Sequence, residues 1–228
     1  MRTIPYSCGT VTAGAALVVA GCAGSHGPVD LGAVLAPGDA TASYALLPDS
    51  VTDALPSTRH LVDGADLTFS DLAVSGRLTS WERGEARAWD TDAGRVVAWD
   101  GDADTRTLLV DLAVDGVVDA RAGTAEPAGT VVIEVVVDAE TPADAVADAL
   151  VALDDVVVLL VPADEPAGYR IALDGALLAD VGRDGSLTWP GLVARETGGS
   201  TALPAVDART LRDLRDAAEH DVVVDHDA

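Results

Sequence analysis

From Leu61 onward, apolar and polar residues follow one another in short alternating or β-branched runs, each bounded by Asp or Gly. Alternation with a period of two places one side chain in a core and the next in water, which is the pattern of a strand. Strands are therefore expected at residues 67–81, 86–89, 95–99, 105–114 and 130–137, and again at 156–161, 169–173, 176–180 and 186–189. Ser75-Gly76 inside the first run predicts a bend or bulge. Two segments change period. Thr141-Pro142 opens a helix through about residue 153, with Thr as N-cap, Pro at the first helical position, and Val146, Leu150 and Leu153 as its buried stripe. A last helix is expected over residues 204–219, with Val206, Leu211, Leu214 and Ala218 on its apolar side.

Setting aside residues 86–99 as an inserted hairpin leaves strand, strand, strand, helix, strand, strand. That order is similar to the OB-fold, a Greek-key barrel with a helix after its third strand. The resemblance implies a mainly β domain: an OB-like barrel with one inserted hairpin, a helix before the last strands and a C-terminal helix. A β-sandwich with peripheral helices is the alternative.

The N-terminus has a different texture. Met1-Arg2 supplies a positive start, Val11 to Ala20 is small and apolar, and the stretch closes on Val19-Ala20-Gly21-Cys22. The first acidic residue is Asp30, so every carboxylate lies beyond that point. This leader resembles the signal peptide and lipobox of bacterial lipoproteins, whose cysteine thiol becomes a thioether to diacylglycerol. The resemblance implies a signal peptide over residues 1–21, lipidation with palmitate-type chains at Cys22, and anchoring on the extracytoplasmic side of the cell membrane. Residues 22–60, rich in Ala, Gly, Pro and Ser, then read as a tethered linker, within which Val29 to Leu35 and Tyr44 to Leu47 are candidates to dock. Residues 61–228 read as the β-rich domain.

Charge narrows the function. The chain carries 38 acidic against 14 basic residues, a formal net charge of −24, and all 14 are Arg. Nucleic acid is not an expected partner, because a phosphate backbone requires a basic footprint. Lys is absent altogether, so the sequence has no P-loop. With Cys8 in the leader and Cys22 lipidated, no thiol remains for redox or metal chemistry. Neither a G-x-S-x-G elbow nor an H-E-x-x-H helix occurs.

The candidate chemistry is local. Ala88-Trp89-Asp90 recurs as Ala98-Trp99-Asp100, and Asp100, Asp102 and Asp104 stand at alternate positions. Carboxylates so spaced match the first half of a calcium loop, yet Thr105 replaces the required Gly and Asp111 the bidentate Glu. The expectation is a polar hairpin turn with at most weak calcium binding, and no other metal or cofactor. Trp89 and Trp99 are candidates for an aromatic binding surface; core filling is the alternative for all four Trp. Glu134, within a Val-rich run, is an inward acid in a barrel or, more commonly, a water-facing residue on the alternate strand face. His60 and His220 have no ligand partner nearby in sequence, and His226 lies in the tail.

With no catalytic motif, the expected role is a non-catalytic binding or interaction module on a lipid tether, its partner a protein, a cation or a cell-wall ligand. A secreted hydrolase with carboxylates gathered from distant positions is the alternative.

Overall fold

The structure is a computed structural model that describes residues 29–35, 46–89, 94–192 and 204–227. The lipobox with Cys22, and Asp90 and Asp92 of the acidic hairpin, lie outside the described residues. The molecule is mainly β, and its strands follow the expected OB-like order.

Five strands carry the barrel: β3 (Leu72–Ala88), β5 (Thr105–Ala120), β6 (Thr130–Asp138), β7 (Asp155–Pro162) and β8 (Tyr169–Ile171). β3 pairs antiparallel with β5, and β5 with β6. β6 runs parallel to β8, β8 antiparallel to β7, and β7 returns antiparallel to β3. That circuit is the Greek-key order of an OB barrel. It is thin at β8, which offers two residue pairs to β6 and three to β7, so the barrel is partly open along that seam. β4 (Arg95–Val97) pairs with the end of β3 and forms the inserted hairpin. β9 (Leu178–Val181) and β10 (Leu187–Thr188) extend the sheet beyond β7. A separate small sheet joins β1 (Thr58–Val62), β2 (Ala65–Leu67) and β11 (Val222–Asp225).

The expected strands at 67–81 and 86–89 prove to be one 17-residue strand, with β2 split off before it. β3 stays continuous because four register shifts against β5 let it coil around the barrel without losing its partner. One shift falls at Ser75/Gly76, where the bulge was expected. A Cβ on Gly76 would stand 2.2 Å from the Ala113 carbonyl oxygen, so only Gly allows the backbones to approach there.

Two apolar layers meet on β7. Val156, Val158 and Leu160 enter the barrel interior with Leu72, Val74, Leu108, Val110, Leu112 and Ile133. Val157 and Leu159 face the other way, into a second core with Leu55, Leu177, Trp189 and Leu214. With both faces covered, the run cannot alternate and reads as continuous Val and Leu. Helix α2 (Ala143–Val151) closes the barrel interior with Val146, Ala147 and Leu150. It begins one turn position later than expected: Pro142 is the N-cap and no side chain caps it, because Thr141 is held in a turn by donating to the Asp138 carbonyl.

The C-terminal helix is shorter than expected. α3 spans Leu211–Ala218 only, since Thr210 and Asp213 form a capping box that sets its start. Upstream, Ala205 is bridged to Ser50 in extended backbone. The segment from 176 to 180 also yields its first residues to a turn, in which Ala176 donates to the Leu173 carbonyl. Packing reaches further toward the N-terminus than residue 61. Leu35, of the short helix α1 (Leu31–Leu35), and Val51, Ala54 and Leu55 are fully buried, so these parts of the expected linker belong to the domain. Leu35 joins the barrel core, and Val51, Ala54 and Leu55 cover the second core instead of spanning a gap.

Candidate functional site

Along β5 and β6 the residues that do not enter the barrel are Thr107, Leu109 and Asp111, and Val132, Glu134 and Val136. Register aligns four side chains into one row across the outer face: Glu82 opposite Leu109, Leu109 opposite Glu134, and Glu134 opposite Arg170. Two hollows flank this row, of about 590 and 690 Å³, the larger also lined by Leu35, Val135, Val137 and Ile171 of the barrel core. The first lies among Arg83, Arg87, Leu109 and the 162–166 loop. The second lies among α1, the end of β6 and Asp174. Both include Glu134 and Arg170, so the hollows meet there and form one groove.

The groove is chemically mixed. Leu109, 6% exposed, and Val136, 54% exposed, give it an apolar floor where alternation would normally place polar residues. Arg83 is engaged by Asp144 at 2.7 Å and lies over the Trp99 ring at 5.2 Å from its centroid. Arg87 pairs with Glu85 at 2.6 Å. Among the described residues Arg170 makes no ion pair, and no hydrogen bond joins it to Glu134. Burial pushes the Glu134 carboxyl above the usual carboxylate range; Arg170 opposes that shift and Asp164 adds to it. A ligand entering the groove thus meets the Arg170 guanidinium, a half-buried carboxyl and the carboxylates of Asp164 and Glu165 at its rim.

The sequence-predicted site residues lie elsewhere. Asp104 accepts a hydrogen bond from the Trp89 backbone N–H at 2.6 Å, and its own N–H donates to the Arg87 carbonyl. Asp100 faces Arg83 at 3.9 Å with its side chain 90% exposed. Asp104 is therefore occupied in holding the hairpin, while Asp100 and Asp102 stand exposed. Among the described residues no three His, Cys, Asp or Glu side chains gather as a metal cage.

The two tryptophans do not act alike. Trp89 is 51% exposed, its ring lying against Gly94 and its indole N–H donating to Thr105. Trp99 packs against the barrel core and carries Arg83 above it. Trp189 is buried, and Trp81 is half-buried with its N–H donated to Asp148. Only Trp89 of the proposed pair offers an open aromatic face.

Glu134 takes the alternate-face position, outside the barrel. Arg83, Arg87, Leu109 and Arg170 were not anticipated as a group. The available signal was Leu109 and Val136 at outward positions of alternating strands, where an apolar residue predicts a covered surface. Comparison with known protein families, curated proteins and solved structures finds no match to this chain.

Proposed function

We propose that this chain is a non-catalytic binding module held outside the membrane by lipid at Cys22, with the Glu134–Arg170 groove as its ligand surface. The observation that carries the reading is the junction of the two hollows at Arg170 beside a half-buried carboxyl. The barrel interior is filled by Leu, Val and Ile, so the space open to a ligand lies along the outer row and at the thin β6–β8 seam. A groove with an apolar floor and both signs of charge suits a polar ligand that itself carries both, such as a peptide segment of a protein or of the cell wall. Arg170 would take an anionic group and Asp164 with Glu165 a cationic one.

The test is binding of cell-wall glycopeptide fragments to the full chain, followed by amide chemical shifts. Shifts should concentrate at Leu109, Glu134 and Arg170, and Arg170→Ala should weaken binding about tenfold or more, as loss of a charge-assisted hydrogen bond does. Fragments that bind with no response at these three residues would displace the groove from its role.

One observation favours a hydrolase as the second reading. Glu134 is a carboxyl in a cleft whose burial favours its protonated form, with Asp164 near enough to act on it electrostatically. Under that reading Glu134→Gln abolishes turnover of a glycan or peptide substrate while binding persists.

A further inference from the structure

The two sides of β6 are unequally covered. β5 accompanies it from Thr130 to Asp138, whereas β8 reaches only Ile133 and Glu134. The cause lies just past β8. Leu173, Asp174 and Gly175 all have left-handed backbone, at φ 52°, 51° and 104°, and turn the chain away. The direction of the β6 backbone follows from two hydrogen bonds: the Ala139 N–H donates to the Asp104 carbonyl, and the Gly168 N–H donates to the Val132 carbonyl. Alternation then aims Val135 and Val137 at β5, and Val136 and Asp138 at the open side. The Asp138 carbonyl is taken by the Thr141 N–H. Among the described residues, the N–H and carbonyl of Val136 and the N–H of Asp138 have no backbone partner.

This edge opens into the larger hollow. Val135 to Asp138 line one side, and α1 with Asp174 and Gly175 lines the other. Val136, 54% exposed, and the buried Leu35 and Ile171 supply apolar contacts. The charges are sorted by end. Arg170, the one basic residue among those lining this hollow, stands opposite Glu134 where the open stretch begins. Asp138 closes the stretch, and Asp174 stands on the far wall.

We infer that this edge takes a short extended peptide as an added antiparallel strand, with its C-terminal carboxylate at Arg170 and a basic residue opposite Asp138. The inference rests on the groove reading above and names the ligand of that groove. Antiparallel pairing lets one peptide residue exchange both backbone bonds with Val136. It also runs the C-terminus toward Arg170 and the N-terminal side toward Asp138 and Asp174, so each end meets the opposite charge. A parallel chain would reverse both matches. Directly opposed residues share a face of the sheet, so the residue opposite Val136 turns outward beside it. Its two neighbours turn to the barrel side, where Leu35 and Ile171 line the hollow. The pattern is therefore basic, apolar, β-branched, then apolar with the free carboxylate.

Four extended residues run about 13 Å, and a hollow of about 690 Å³ lies within the range of small-ligand sites. Glu134, whose burial favours the protonated form, opposes a carboxylate there less than an exposed acid would. A second copy would bring a further formal charge of −24 to the same edge, so the basic peptide is the favoured occupant.

The probe is the tetrapeptide Lys-Val-Thr-Val, titrated by calorimetry into the full chain at about pH 7, where its lysine and carboxylate are both charged. On binding, exchange of the Val136 amide should slow about tenfold or more, while Leu108 to Val110 in the barrel stay unchanged. Amidating the peptide's C-terminus should weaken binding about tenfold or more, and in Arg170→Ala the acid and amide forms should bind alike. N-methylation of the peptide's threonine, which faces Val136, should weaken binding about tenfold or more; N-methylation of its second residue, whose N–H turns away from β6, should cost far less. Absence of binding overturns the added strand. So does equal loss from the two methyl groups, an amide that binds as well as the acid, or a Val136 amide already slow without peptide, since the edge would then be covered by another copy or by the chain itself. Glycopeptide fragments that shift Leu109, Glu134 and Arg170 while the tetrapeptide fails would keep the groove in its role and remove only the strand.

Discussion

Glu134 shows how a single residue records the conflict between fold and site. Desolvation disfavours its ionised form, and the attraction of Arg170 does not cancel that effect. A carboxyl whose pKa rises on folding costs stability above its folded pKa and costs none below its unfolded value, near 4.3. Replacing Glu134 with Gln should therefore raise the melting temperature at pH 7, and the gain should vanish as pH falls below about 4.3. Thermal denaturation at both pH values measures it. A gain that is the same at both would mean that packing, not charge, is the cause. The residues that never titrate follow a simpler rule. Gly76 is required by steric contact with a backbone oxygen, Gly64 by its left-handed backbone at φ +75°, whereas a Cβ on Gly168 would meet nothing within 4 Å.

At the scale of elements, burial on both faces and end-capping decide what forms. β7 has no polar face because barrel and outer layer cover opposite sides of the same strand. α3 is short, exposed on most of its surface and anchored by Leu214, so its capping box carries a large share of its stability. Thr210 Oγ1 accepts from the Asp213 N–H, and the Asp213 carboxylate accepts from the N–H groups of Arg209 and Thr210. The Thr210 hydroxyl first, and the Arg209 and Thr210 N–H groups with it, hold the Asp213 carboxyl below its usual range, so the cap is intact at neutral pH and its contribution is lost as pH falls from the ordinary Asp range through that depressed value. Thr210→Ala should cost about 1 kcal/mol in urea denaturation at pH 7. A change well under half of that would show that α3 is held by packing alone.

For the whole molecule, charge sets the character of the surface without setting the fold. The ion pairs seen are exposed, such as Arg77 with Asp155 and Arg59 with Asp66, and each contributes little in water. Fourteen Arg cannot neutralise 38 carboxylates, so the net charge stays strongly negative. Net charge of this sign and size repels anionic groups, and more strongly at low ionic strength. The proposed tether would supply a membrane attachment. No helix among the described residues is long and apolar enough to cross a membrane. Cys22→Ser should leave an unprocessed precursor, visible as a higher mass on a gel and as loss of lipid labelling. A processed Ser variant, or an unmodified Cys22 in the native protein, would remove the lipoprotein reading.

The alternating runs at β5 and β6, the Val-Leu run of β7, the bulge at Gly76 and the stripe of α2 were all determined by local sequence, because each depends on which face of one element is buried. The order of those elements was enough to suggest the OB-like barrel. Tertiary structure alone decided the rest. Glu134 meets Arg170 only through the parallel pairing of β6 with β8, and His60 meets His226 across 166 positions of chain. Residues 46–57 look like linker in composition, yet they cover a core whose other half is Trp189 and Leu214. Periodicity states that a face is covered; it carries no label for what covers it. Where outward faces of distant strands converge is set by register and by the coiling of β3, and those are properties of the assembled sheet.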